Sequence, residues 1–137
     1  MYTNRTQLRV RYGETDQMAY VYYGQYAYYY EVGRVEALRN LGLSYKSMED
    51  DLGIFMPVMS MNVKYIRPAF YDEMLDLETS IEKIPEMTIQ FHTKIYNPTG
   101  KLINYGLVSL CFVEIKSRQR VIAPQVITEK LKTFFEG

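Results

Sequence analysis

Apolar and polar positions trade places every second residue over much of this chain, and every third or fourth over one stretch. Leu8-Arg9-Val10-Arg11-Tyr12 alternates apolar and basic, the period of a half-buried strand, and Gly13-Glu14-Thr15-Asp16-Gln17 breaks it. From about Gly24 to Asn40 the period becomes helical, and Leu41-Gly42 supplies a left-handed C-terminal cap. Tyr26, Ala27, Tyr28, Tyr29, Tyr30, Val32, Val35, Ala37, Leu38 and Leu41 cover most of that helix's circumference. A helix apolar nearly all round is normally buried. A second short helix is predicted around Tyr45 to Asp51. Strands then follow at Ile54 to Arg67, Met74 to Ile84 and Thr88 to Tyr96, with a turn at Asn97-Pro98-Thr99-Gly100. Leu102 to Ile115 is apolar on both faces, as a central strand is, and Gly106 within it marks a bulge or a close backbone approach. Thr128 to Glu136 reads as a terminal helix.

The order is one strand, one apolar helix and about four long antiparallel strands, without linker or repeat. It predicts a single α+β domain over residues 1–137. One sheet hides such a helix only by curling around it, which is the hot-dog fold: a long central helix wrapped by a curved antiparallel sheet.

Composition narrows the function. Sixteen basic and sixteen acidic residues cancel, leaving no electrostatic footprint for nucleic acid or an anionic membrane. The single cysteine, Cys111, excludes an internal disulfide and a cysteine-based zinc site, and no ligand spacing points to a metal or cofactor. The N-terminus lacks a signal-peptide run, and no apolar stretch approaches the roughly 18 residues of a membrane span, so a cytoplasmic protein is expected. The lone histidine, His92, shares the polar side of its strand with Gln90 and Lys94, which argues against a Ser-His-Asp or Cys-His triad. Cys111 sits in the most apolar strand and reads as packing. Glu31 and Arg34, three apart, read as a buried structural pair. The tyrosines crowded between Tyr20 and Tyr30, Tyr26 among them, suit an acyl tunnel or packing of core and subunits.

Val10-Arg11-Tyr12-Gly13-Glu14-Thr15-Asp16-Gln17-Met18-Ala19-Tyr20-Val21-Tyr22-Tyr23-Gly24-Gln25-Tyr26 resembles the signature of the 4-hydroxybenzoyl-CoA thioesterase-like acyl-CoA thioesterases. Tyr30-Glu31-Val32-Gly33-Arg34 is similar to that family's Glu-x-x-Arg on the central helix, and Val63-Lys64-Tyr65-Ile66-Arg67-Pro68-Ala69 to its next strand and turn. The resemblance runs from about Leu8 to Pro124 and implies hydrolysis of an acyl-CoA thioester. That chemistry needs an attacking oxygen and a place for the carbonyl oxyanion. A loop carboxylate can attack directly or activate water, and amides at a helix N-terminus suit an oxyanion. The resemblance gives Asp16 the first role and the Tyr23 backbone N–H the second. An Asp before a helix, taken alone, is an ordinary cap or turn residue.

Two departures leave the acyl preference open. Many relatives carry Gly where Ala19 stands. Tyr23 replaces a His common in the branch acting on short acyl chains near the Tol–Pal envelope system, and matches the aromatic-acyl enzyme. CoA phosphates need cations, for which Lys64, Arg67, Arg118 and Arg120 follow strand ends. A wrapped sheet leaves an edge and an apolar face to cover. The resemblance implies sheets joined edge to edge in a homodimer or homotetramer, with active sites at the subunit interface. A hot-dog hydratase or dehydratase would want a His–carboxylate pair near the acyl chain, and a non-catalytic acyl-CoA binding module would lack the Asp16 carboxylate.

Overall fold

Where period two is cleanest, strands form where they are predicted. The computed structural model describes residues 1–136. In chain order it contains β1 (Tyr2–Arg9), α1 (Tyr26–Asn40), α2 (Tyr45–Ser47), β2 (Ile54–Phe55), β3 (Val58–Tyr65), β4 (Met74–Ile81), β5 (Thr88–Tyr96), β6 (Leu102–Glu114), β7 (Arg120–Val121) and α3 (Gln125–Lys132). The strands make one antiparallel sheet in the order β1-β4-β5-β6, with β3, β2 and β7 also on β6. The concave face of the sheet closes on α1, the hot-dog arrangement.

In β5, Ile89, Phe91 and Ile95 are buried while Gln90 and Lys94 are exposed. Facing residues of β6 continue the core through Asn104, Val108, Leu110 and Phe112. Two glycines set how close the helix lies. A Cβ on Gly33 of α1 would stand 2.5 Å from the Thr79 hydroxyl oxygen, and one on Gly106 of β6 would stand 2.5 Å from the Tyr30 ring. Neither contact is tolerable, so both positions require a missing side chain. Gly106 thus marks the close approach; the register shifts of the sheet lie elsewhere, between Val58 and Ser60 and between Ile95 and Tyr96.

Several elements differ from expectation. The first strand is Tyr2–Arg9, not Leu8 to Tyr12. Its inward positions Asn4 and Thr6 are polar, so hydropathy hides the alternation, and β1 is held by backbone pairing with β4 from Tyr2↔Ile81 to Arg9↔Met74. The strand expected over Ile54 to Arg67 is two strands, parted at Met56-Pro57, because Pro57 has no N–H to offer a ladder. β4 stops at Ile81, three residues short of expectation, and the terminal helix runs from Gln125 instead of Thr128, entering after Pro124. The helical path opens with a tight turn at Tyr23–Gln25 before α1.

The central helix is not buried all round in one chain. Tyr26, Tyr29, Tyr30, Gly33, Arg34, Ala37 and Leu38 face inward, whereas Tyr28 and Val32 on the far side are exposed. The expected Glu31–Arg34 pair does not form. Glu31 points to solvent, and the Arg34 Nε donates instead to the Tyr45 hydroxyl at 2.9 Å. Spacing of three permits a meeting on one helix face, but Arg34 lies toward the core and Glu31 away from it. His92 is half-buried on the outer sheet face, 3.4 Å from Glu82, and Cys111 is buried.

Candidate active site

The segment between β1 and α1 forms no long strand or helix; it is tied down by short-range hydrogen bonds and by the buried side chains of Val10, Glu14 and Val21. Val10, buried, donates its N–H to the Glu73 carbonyl and accepts from Asp72 N–H, pinning the end of β1 beside the β3–β4 connection. The chain then turns at Tyr12–Glu14 and enters a small hairpin. Asp16 N–H donates to the Tyr20 carbonyl at 2.8 Å and Ala19 N–H to the Asp16 carbonyl at 3.0 Å. The Asp16 Oδ1 accepts from Met18 N–H at 2.9 Å and Tyr20 N–H at 3.2 Å. This is the local ring a short carboxylate makes with its own backbone. It anchors one carboxylate oxygen. The other, Oδ2, has no protein partner among the described residues. Ala19 closes the hairpin at φ +65°, the left-handed region where a Cβ is unfavourable. That strain gives a physical reason for glycine at this position.

The return strand of the hairpin docks through Val21 N–H to the Ala69 carbonyl at 2.8 Å, and a ladder bridge joins Tyr20 to Phe70. Tyr22 is extended, and helical geometry begins at Tyr23. Among the described residues no side chain caps this start, and the N–H groups of Tyr23 and Gly24 have neither an intrahelical acceptor nor a cap. They sit at the positive end of the helix dipole.

Asp16, Tyr20, Tyr23, Tyr26, Tyr65 and Arg67 line one mostly apolar cleft of about 360 Å³. Tyr65, on β3, donates its hydroxyl to the Tyr23 carbonyl at 3.3 Å and packs edge-on against Tyr26, ring centroids 5.6 Å apart. Burial, with lesser contributions from Tyr65 and Glu73, pushes the Tyr26 phenol up to about 12, so it stays a neutral hydroxyl at physiological pH.

Of the sequence-predicted site residues, Asp16, Tyr23, Tyr26 and Arg67 therefore meet at this cleft. Lys64 does not join them. It pairs with the outward-facing Tyr105, on the face of β3 opposite Tyr65. Arg118 and Arg120 lie at the far end of β6, where Arg120 pairs with Val113 and the Arg118 guanidinium stands 5.9 Å from the Phe55 ring centre. Sequence reasoning missed Tyr65 as an aromatic lining the cleft, and Phe70, which packs edge-on against Tyr20. It also missed Glu14, whose carboxylate is buried beneath the hairpin. Inside the Asp16 motif Glu14 read only as part of a strand break, and no periodicity signals its partners. Among the described residues no three of His, Cys, Asp and Glu gather where they could hold a metal ion, and no helix is long and apolar enough to cross a membrane.

Comparison with known proteins places this geometry in context. Residues 10–131 match the model of the thioesterase-like superfamily. A putative acyl-CoA thioesterase of Bacillus subtilis, YneP, is 37% identical over 102 residues, covering 74% of this chain and 73% of its own length. The acyl-CoA thioester hydrolase YbgC of Escherichia coli is 29% identical over 126 residues, covering 91% of this chain and 93% of its own. Among solved structures, a DHNA-CoA thioesterase from Staphylococcus aureus superposes with a TM-score of 0.84 at 31% identity, covering 98% of this chain and 85% of that one.

Proposed function

The chain belongs to the thioesterase-like superfamily and is an acyl-CoA thioesterase, and we propose that Asp16 is its catalytic carboxylate, with the Tyr23 N–H as oxyanion donor. The observation that carries this reading is the shared cleft: a carboxylate with one anchored and one unpartnered oxygen, beside uncapped amides at a helix start. The acyl group lies against Tyr20, Tyr26 and Tyr65, and its thioester oxygen accepts from Tyr23 N–H. The free Asp16 oxygen then either attacks the carbonyl carbon or takes a proton from a water that does. Negative charge builds on the carbonyl oxygen and is met by an amide already oriented toward it. Collapse expels the CoA thiolate. On the water route the thiolate takes up the proton that Asp16 removed. On the direct route an acyl–Asp16 anhydride is left, which a water then cleaves while its proton goes to the thiolate. Either way one water and one thioester become one acid and one thiol. The anchoring of Oδ1 keeps the attacking oxygen from rotating away. Arg67, at the cleft rim, holds a CoA phosphate. The scheme uses no metal or cofactor.

The active assembly is a homodimer, alone or paired into a tetramer. β3 is bonded to β6 on one side only, and its exposed side chains include Met59, Met61 and Tyr65. A long unprotected apolar edge is a template for another strand. Lys64, Arg118 and Arg120 of the same chain do not line the Asp16 cleft. Light scattering at micromolar concentration should give twice the chain mass or four times it; a stable monomer defeats this assembly.

Asp16→Asn tests the central claim. Asn keeps an oxygen for Met18 and Tyr20 N–H but loses charge and basicity. Across a panel of acyl-CoAs kcat should fall by at least about 10²-fold with KM little changed. Melting temperature should also change little. A folded variant with near wild-type kcat removes Asp16 from the chemistry.

A further inference from the structure

The residue two before Asp16 is a buried carboxylate that the proposed chemistry does not use. Glu14 is about 8% exposed, yet it sits in a loop and accepts from four groups. Its Oε1 accepts from Arg11 N–H at 2.8 Å and from the Tyr29 hydroxyl at 2.9 Å. Its Oε2 accepts from the Arg11 guanidinium at 2.9 Å and from the Gln25 side-chain amide at 3.4 Å. The Glu14 backbone carbonyl accepts Tyr22 N–H at 2.9 Å, and its N–H donates to the Arg11 carbonyl at 3.0 Å.

These partners have a pattern. Arg11 follows the end of β1. Tyr22 immediately precedes the first free amide of the helix. Gln25 and Tyr29 belong to the first turns of the helical path. The hairpin that carries Asp16 leaves at Glu14 and comes back at Tyr22, so one residue holds both its ends and also holds the helix that supplies the oxyanion amides. We propose that Glu14 is a positioning residue, fixing the Asp16 carboxylate relative to the Tyr23 N–H; this rests on the reading of Asp16 and Tyr23 given above.

Only an ionised carboxylate suits the place. Every group pointed at Glu14 is a donor, and a carboxylate offers about four lone-pair sites and no hydrogen. Burial alone would raise its pKa, but the Arg11 N–H, the Tyr29 hydroxyl and the Arg11 guanidinium outweigh it and hold the group below the ordinary carboxylate value. Glutamine, though the same shape, would turn an NH₂ against donors at one of the two oxygens. Misplacement of reacting groups by about 1 Å can cost as much as 10²-fold in rate, so a clamp of this kind acts on kcat without touching substrate.

The experiment compares four variants by kcat, KM and melting temperature, assayed well below each melting point. Glu14→Gln should lower kcat about tenfold or more with KM within about twofold. Tyr29→Phe removes one donor to the same carboxylate and should lower kcat about threefold, keeping the measurement available if Glu14→Gln fails to fold. Tyr2→Phe removes an equally buried hydroxyl bond, to the Ala37 carbonyl at the other end of α1, and should lower melting temperature while leaving kcat unchanged. Asp16→Asn separates the two levels of inference. If it abolishes turnover while Glu14→Gln and Tyr29→Phe keep wild-type kcat, the positioning role is wrong and the Asp16 reading stands. If Asp16→Asn keeps wild-type turnover, both fall. A Tyr2→Phe variant that loses as much kcat as Tyr29→Phe would also overturn the inference, since the losses would then follow general loosening of the helix.

Discussion

The two ends of α1 are built to opposite specifications. At the C-terminal end the chain satisfies itself. Leu41 N–H and Leu43 N–H both donate to the Leu38 carbonyl, Gly42 N–H donates to the Arg39 carbonyl, and Gly42 takes the left-handed conformation at φ +82°. Ala37 and Leu38 there are wholly buried. At the N-terminal end amides are left open, the buried side chains are tyrosines, and the hydroxyl of Tyr29 is spent on holding Glu14. One end closes the core with aliphatic packing. The other keeps donors available and tolerates an uncapped helix and a strained Ala19 beside it. Such concentration of unmet polar groups and backbone strain is what a reacting site requires and what a core avoids.

The sharpest way to separate the two ends is to damage the well-packed one. Leu38→Ala should cost about 3.5 kcal/mol of stability, the middle of the range for deleting a fully buried leucine. Turnover per folded molecule should stay near wild type in urea titrations run alongside assays. A matching loss of kcat would show that the ends are not independent.

High pH probes the other end. Burial raises the phenols of Tyr26, to about 12, and of Tyr29 and Tyr30, the Glu14 carboxylate adding to the rise at Tyr29. Raised folded-state values mean the neutral phenol is preferred in the native protein. The stabilisation is therefore fully present below the unfolded value of about 10 and is lost as pH climbs toward and past the folded values. Exposed tyrosines such as Tyr12, Tyr28 and Tyr71 should ionise first with the helix intact, and a late fraction of the tyrosinate absorbance should rise only together with loss of helical circular dichroism. Ionisation of every tyrosine in the chain before any loss of helix would contradict the burial described for Tyr26, Tyr29 and Tyr30.

The smallest effect concerns the hairpin. Ala19→Gly removes about 1 kcal/mol of left-handed strain but adds unfolded-chain freedom, for a net gain of roughly 0.5 kcal/mol by chemical denaturation. Because the Asp16 Oδ1 bonds use backbone N–H groups of Met18 and Tyr20, kcat should hold within about twofold. A destabilised variant would mean that the Ala19 methyl group contributes packing that outweighs its strain.

Legibility in the sequence followed the same division. β5 was readable to the residue because Ile89, Phe91 and Ile95 alternate cleanly with charged and polar neighbours. β6 was readable to within one residue for its apolar run. β1 was misplaced by several residues because Asn4 and Thr6, which face inward, carry no hydrophobic signal, and its position is fixed by backbone pairing with a strand about seventy residues away. At the candidate site, the meeting of Asp16, Tyr23 and Tyr26 at one cleft was legible because one contiguous motif contains them. Glu14 stands in that motif too, but its role depends on Gln25 and Tyr29 coming back to it through the helix, and local spacing carries no trace of that. Arg118 and Arg120 show the converse: a sequence can propose cations for a ligand without saying that β6 carries them to the far end of the sheet.

Gly33 and Gly106 turn the gap between helix and sheet into a fixed gauge. With Thr79 and the Tyr30 ring already at the limit of approach, the floor of the molecule has no slack to trade. Anyone retuning this protein for a bulkier acyl group should leave that floor alone and recut the walls. Met18, Tyr23 and Ile66 stand at the mouth of the cleft, where side chains are exposed and an exchange for smaller residues removes no core. Libraries directed at those three positions should stay folded at a far higher rate than libraries directed at the two glycines or at Tyr30.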